Sequence, residues 1–308
     1  MNLVMSNLAM SNLAMSHAHM QSSIGLAIAS ALAAVTALVY LRGWLSLRNA
    51  FPTLIPGWRL AAFMCGLVSV WAGLASPLAT LDHQSLTIHM IKHLLLMTVA
   101  APLVLAGAPV FPLVCGLPKL FIKGHPRFRP PARWLKQRLP VLCWLAGTAA
   151  VIGWHLPFAF ELGMRSQWAH SLEDVCFLMA GLLFWWPIVR SSPGVTRSPR
   201  LLMALYLFLA TLPCDILSAF LVFCNRLVYP FYLSEPQLFS LSPLADQECA
   251  GALMWVWVTF AYLIPAVVIT MQALSPSNIS PSTKQSPEAT QATRDGVAGR
   301  SLNGAEVL

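Results

Sequence analysis

The sequence predicts an all-α integral membrane bundle of about seven transmembrane helices, with the N-terminus outside and the C-terminus inside. Three observations carry this. Of 308 residues, 57% are hydrophobic and only 10% are charged, against roughly 25% charged in a soluble domain. Seven apolar stretches reach the roughly 17–25 residues that cross a hydrocarbon core. The basic residues alternate from side to side along the chain, as the positive-inside rule requires.

The elements follow in order. The first residues repeat a short motif, Met-Ser-Asn-Leu-Ala, beginning at Met5 and again at Met10. They carry no basic n-region and no clean cleavage site, so 1–23 reads as a low-complexity extension and not a signal peptide. The spans are expected at 24–41, 60–78, 88–114, 141–160, 172–189, 201–224 and 250–271, and the membrane domain at 24–272. Arg42, Arg48 and Arg59 flank the first link, and seven Lys and Arg residues between Lys119 and Arg138 crowd the third. Arg190, Arg197 and Arg200 follow the fifth span, and Lys284, Arg294 and Arg300 lie in the tail. All of these fall on alternate links, which are assigned to the inside. Lys92, Arg165 and Arg226 fall on the other side. The third link also holds Pro118, Pro126, Pro130, Pro131 and Pro140 and reads as a cytoplasmic loop. The tail, 273–308, is rich in Ser, Thr, Pro, Gln and Ala, a composition that cannot bury enough apolar surface to fold. A barrel would show shorter, alternating segments.

The net charge of +8 is therefore a topogenic signal, with anionic lipid as its second use, and not a nucleic-acid footprint. No nucleophile elbow, phosphate loop or dinucleotide fingerprint is present, so no enzyme activity is expected. The seven cysteines contain no CxxC and read as small packing residues. Cys224 and Cys249 both fall near the outer side, where a disulfide is chemically possible.

The polar residues are one-sided. Most histidines and acids fall on the outer side or in the outer halves of the spans. His89 and His93 open the third span at i, i+4, so they share a helix face. His155 closes the fourth, just before Pro157. His170 opens the fifth, with Asp174 at i, i+4 and Glu173 beside it. Asp215 lies within the sixth, next to Pro213, which should interrupt the helical ladder. Asp246 sits just before the seventh. An ionised side chain at membrane depth costs about 2.5–3.5 kcal/mol and is normally partnered and functional. Three outer basic residues cannot neutralise so many carboxylates. Histidines and carboxylates converging from several helices make a metal site, with His89, His93, His155, His170, Asp174, Asp215 and Asp246 as candidate ligands. Imidazole suits copper, zinc and iron, and Met90, Met97 and Cys214 nearby tilt the choice toward copper. Asp82 and His83, in a loop, read as ordinary interfacial residues; His125, on the inside, reads as a bystander, as do His17 and His19, although with the methionines near them that pair could capture a soft metal.

These segments resemble the CtaG family of cytochrome c oxidase assembly factors. The resemblance rests on the run from His89 to Met97, then Gly107-Ala-Pro109, Trp154-His155-Leu-Pro157 and Trp168-Ala-His170-Ser-Leu-Glu173. Phe184-Trp-Trp-Pro187, Leu212-Pro213-Cys214-Asp215 and Ser242 to Gln247 complete it. The resemblance implies a multi-pass protein of the bacterial inner membrane. Such a protein would help mature a haem–copper oxidase by transient copper binding and delivery on the periplasmic face. Its partners would be oxidase subunits, the lipid bilayer and a periplasmic copper chaperone. Members of the family often carry a second histidine where this chain has Asp174, a harder ligand. Two other readings stand beside this one. Pairs of histidines on separate helices could be the axial ligands of a b-type haem in an oxidoreductase, or the chain could transport copper, which would need a polar path to the inner side.

Overall fold

The computed structural model describes residues 2–53, 55–76, 81–117, 133–189, 197–236 and 238–275. The loop residues 118–132, with His125, and the tail beyond 275 lie outside the described residues, as do the side chains of His17 and His19. Every regular element among the described residues is helical. We number them α1 (Asn2–Leu47), α2 (Gly57–Ala75), α3 (Leu86–Ala106), α4 (Val110–Gly116) and α5 (Arg133–His155). These are followed by α6 (Pro157–Arg165), α7 (Gln167–Val189), α8 (Arg197–Phe223) and α9 (Pro243–Leu274). Six helices are long and apolar enough to cross a membrane, and α5 with α6 forms a seventh if that bent pair counts as one span. The chain is a multi-pass membrane protein.

Helix α3 is the hub. In its most apolar window 61% of the residues are buried, against 6% in α1. Helices α2, α7 and α9 pack around α3, α5 lies on α7, and α8 runs along α9. Helix α1 sits outside, against α2 and α4. The contact between α1 and α4 is backbone to backbone. A Cβ on Gly43 would strike the Pro112 carbonyl, and one on Gly116 would strike the Val39 carbonyl. Small residues at such a crossing are how helices associate where lipid removes the hydrophobic drive. Large apolar side chains such as Leu32, Leu38, Ile216 and Val256 face outward, the arrangement suited to an apolar solvent.

Several boundaries differ from the sequence expectation, each for a local reason. The third span ends at Ala106. Ala108 takes a positive φ of 47°, and the Tyr40 hydroxyl donates to the Gly107 carbonyl at 2.7 Å, pinning that turn to α1. The fourth span breaks after His155. Leu156 is extended (φ −64°, ψ 133°) and Pro157 starts α6, as expected where a proline disfavours helix at the residue before it and suits a helix start. The bend is 73°. Pro213, in contrast, does not end its helix, and α8 continues to Phe223. The seventh helix begins early, at Pro243, with the Ser242 hydroxyl accepting from the Ala245 N–H at 3.2 Å. Asp246 therefore lies in its first turn.

Residues Leu95–Ala100 of α3 form a π-helical segment. Pro102 has no N–H to bond back into this stretch, and the widened ladder passes its spare acceptor to another helix. The Trp185 indole donates to the Met97 carbonyl at 3.0 Å, and the Trp257 indole to the Thr98 hydroxyl at 2.8 Å. The cysteines, including Cys224 and Cys249, are free thiols.

Candidate metal centre

One end of the bundle gathers the start of α3, the loop before it, the end of α5, the start of α7 and the 224–242 connector. The spacing anticipated on α3 puts two imidazoles on one face. His89 Nε2 and His93 Nε2 are 2.9 Å apart, and the rings meet edge to face. From α7, Glu173 Oε1 reaches His89 Nε2 at 3.4 Å and His93 Nε2 at 3.3 Å. All three residues are 1–3% exposed. Phe177 stacks on His93 at 4.0 Å between centroids, and Phe160 of α6 closes over His89 at 5.1 Å.

A second layer borders the first. Lys92 Nζ lies 2.5 Å from Asp82 Oδ2, 2.9 Å from Asp174 Oδ1 and 2.7 Å from His170 Nε2. His170 Nε2 is 2.9 Å from Asp82 Oδ2, and its Nδ1 is 3.6 Å from Glu173 Oε2. The Tyr232 hydroxyl donates to the Asp82 backbone carbonyl at 2.9 Å, fixing the loop. Burial pushes the Asp82 carboxyl up, but the His170 hydrogen bond and the Lys92 charge outweigh it and hold the group below the usual carboxylate range. Burial lowers His83, which stays near Asp82 at 3.9 Å.

The donors at the centre fit a metal ion. Ligands on a tetrahedral ion with bonds of about 2.0–2.1 Å lie roughly 3.3 Å apart. The two His–Glu distances meet that value, and the His–His distance is slightly shorter. Glu173 Oε2, His89 Nδ1 and His93 Nδ1 are buried without a hydrogen-bond partner. Charge points the same way. If ionised, Asp82, Glu173 and Asp174 would bring three negative charges to the one ammonium of Lys92 among them, and with neutral imidazoles two would be in excess. Buried charge of one sign must be paired, protonated or bound to a cation.

Of the seven residues anticipated as ligands, the structure brings four into this network: His89, His93, His170 and Asp174. His155 turns away, toward Met90. Asp246 caps α3. Its carboxylate accepts from the Leu86 N–H at 2.6 Å, the Thr87 hydroxyl at 2.7 Å and the Ser85 hydroxyl at 2.9 Å. Asp215 joins neither layer, and its Oδ1 is buried without a hydrogen-bond partner. Sequence reasoning passed over Lys92 and Asp82 and named Glu173 only as a neighbour. A lysine inside an apolar span, three residues after His89, was the signal for the first. Nothing in the sequence marked Asp82 as fully buried.

Comparison with known proteins agrees with this architecture. Residues 38–275 match the family described as cytochrome c oxidase caa3 assembly factor. An uncharacterized protein of Mycobacterium leprae is 26% identical over 258 residues, and one of Mycobacterium bovis is 24% identical over 264. Each alignment covers 80% of this chain and 38% of the relative, so the chain spans well under half the length of these relatives. No solved structure matches. With the family match covering most of the described helices and the His89–His93 face, the chain belongs to the cytochrome c oxidase caa3 assembly factor family.

Proposed function

We propose that this assembly factor holds copper transiently, as cargo, between His89, His93 and Glu173, and passes it to the oxidase on the periplasmic side of a bacterial inner membrane. The observation that carries the reading is the set of three buried donor atoms at ligand spacing, 2.9–3.4 Å from one another. Imidazole suits copper, and three protein ligands leave a coordination position open, as delivery requires. Lys92, Asp82, His170 and Asp174 hold the α7 end in place and set the local charge. A periplasmic copper chaperone would be the donor, and an oxidase subunit the recipient.

A haem reading fits less well. Axial ligation needs imidazoles facing one another from separate helices, whereas His89 and His93 share one helix with nitrogens 2.9 Å apart, His155 Nε2 faces the Met90 sulfur and His170 Nε2 faces Asp82.

The test is a His89→Ala/His93→Ala double variant in the native host. The variant protein should remain in the membrane while copper content and activity of the oxidase fall. Unchanged oxidase copper and activity would overturn the assignment. A Soret band in the purified protein would favour the haem reading instead.

A further inference from the structure

We propose a second metal station, for a soft monovalent ion such as Cu(I), in the cavity beside the His89–Glu173 centre. It goes beyond the function proposed above and shares only His93 with that centre, its distinguishing donors being Met90, His155, Cys214 and Met254, so either can fail alone. The cavity is about 20 Å³, and a void of roughly 10–15 Å³ already holds one water-sized occupant. Its walls carry six soft or borderline donors: Met90, His93, Met97, His155, Cys214 and Met254. All six residues are at most 7% exposed. Neither a carboxylate nor a cationic side chain lines it among the described residues.

The sharpest observation is a pair of facing acceptors. His155 Nδ1 lies 2.7 Å from the Val151 carbonyl. A carbonyl only accepts, so Nδ1 must carry the proton, and the neutral ring then presents a lone pair at Nε2. That lone pair meets the Met90 sulfur at 3.2 Å, and a thioether sulfur has no proton to offer. A second proton on the ring would put a charge into a chamber whose walls carry no carboxylate among the described residues. A metal ion satisfies both atoms at once. With bonds of about 2.0 Å to nitrogen and 2.3 Å to sulfur, two tetrahedral ligands lie roughly 3.5 Å apart, close to what is seen. The hydrogen bond at Nδ1 is also the device by which metal-binding histidines fix ring orientation. Thioether, thiol and imidazole together select Cu(I) over harder ions.

His93 borders both places. It faces Glu173 through Nε2 and also lines the chamber. An ion leaving the harder His–Glu site therefore has a softer one beside it, within the same helical core.

The experiment uses the full-length protein in detergent, with the exposed Cys65, Cys115 and Cys249 replaced by serine. Cu(I) is added under reductant in competition with bicinchoninate, and the copper X-ray absorption spectrum is recorded. Sulfur scattering at roughly 2.3 Å supports the proposal, and a first shell of nitrogen and oxygen alone overturns it. The spectrum is recorded on the Met90→Leu/Met254→Leu pair as well, where sulfur scattering from the chamber should fall and an unchanged sulfur signal overturns the proposal. The volume-conserving pair Met90→Leu and Met254→Leu should weaken Cu(I) binding at least about tenfold, the scale of even outer-partner losses at metal sites. Unaltered affinity in that pair overturns the proposal. A His89→Ala/Glu173→Gln variant should keep the sulfur signal, and its loss there would move the copper back to the His–Glu centre and overturn the second station.

Discussion

Replacing Lys92 with methionine tests how the site is held together. The ammonium group contacts Asp82, Asp174 and His170 within 2.9 Å, and its side chain is 1% exposed. Methionine keeps most of the volume and removes the charge. Two buried carboxylates then lose their shared cation. Removing one partner of a buried ion pair costs about 3–5 kcal/mol. At about 1.4 kcal/mol per tenfold, the folded-to-unfolded ratio falls roughly a hundred- to several-thousand-fold. For a domain of this size the melting temperature drops by roughly 6–20 °C. The assay is thermal unfolding of the detergent-solubilised protein, followed by tryptophan fluorescence from its 11 Trp residues. The magnitude rests on two stranded carboxylates, so Lys92→Met/Asp174→Asn should melt above Lys92→Met alone. A single variant melting within about 2 °C of the parent would refute the reasoning, as would a double variant no better than the single.

Three further outcomes are expected. Asp246→Ala should lose about 1–3 kcal/mol, the cost of stranding buried donors, while copper stoichiometry is unchanged, because this carboxylate serves the N-terminus of α3; lost copper in a folded variant would make it a ligand. Asp82 has a lowered folded pKa, so its contribution is complete above the ordinary value of 3.8 and is lost as pH falls below it. Acid titration of Asp82→Asn should show lower stability at neutral pH and a flatter decline below about pH 4; an acid limb identical to the parent's would sink that account. Gly43→Leu should prevent α1 from seating against α4, since the added atoms enter the Pro112 carbonyl, and protease accessibility of the α1–α2 link should rise; a variant as protected as the parent would show the contact to be dispensable.

What the sequence disclosed depended on whether a helix alone decides the geometry. His89 with His93, and His170 with Asp174, were legible because i, i+4 spacing fixes a face before any packing occurs. The break after His155 was half legible, since Pro157 announces a helix start, but a hydropathy window runs across it and joins two helices into one span. Glu173 and Asp174 are adjacent, and only the packing of α7 against α3 sends Glu173 to the imidazoles and Asp174 to Lys92. Asp82 lay in a short loop whose depth is set by Tyr232, 150 residues away in sequence. Asp246 looked like a ligand because a carboxylate next to a span invites that reading. Its role as a cap on a different helix depends on a contact 160 residues long, which local pattern does not encode.

The bend at Leu156 would bear on the speed of the proposed metal exchange. It lays α6 against α7, where Phe160 covers His89 and packs on Tyr229 at 4.0 Å between centroids. On the α6 side this aromatic roof would shield an ion held as proposed. The side chains of His170 and Asp174 remain 13% and 12% exposed, while those of His89 and Glu173 are 1% exposed. For an ion held as proposed, entry would then be lateral, past His170 and Asp174, and that doorway would set its residence time separately from the strength with which it is held.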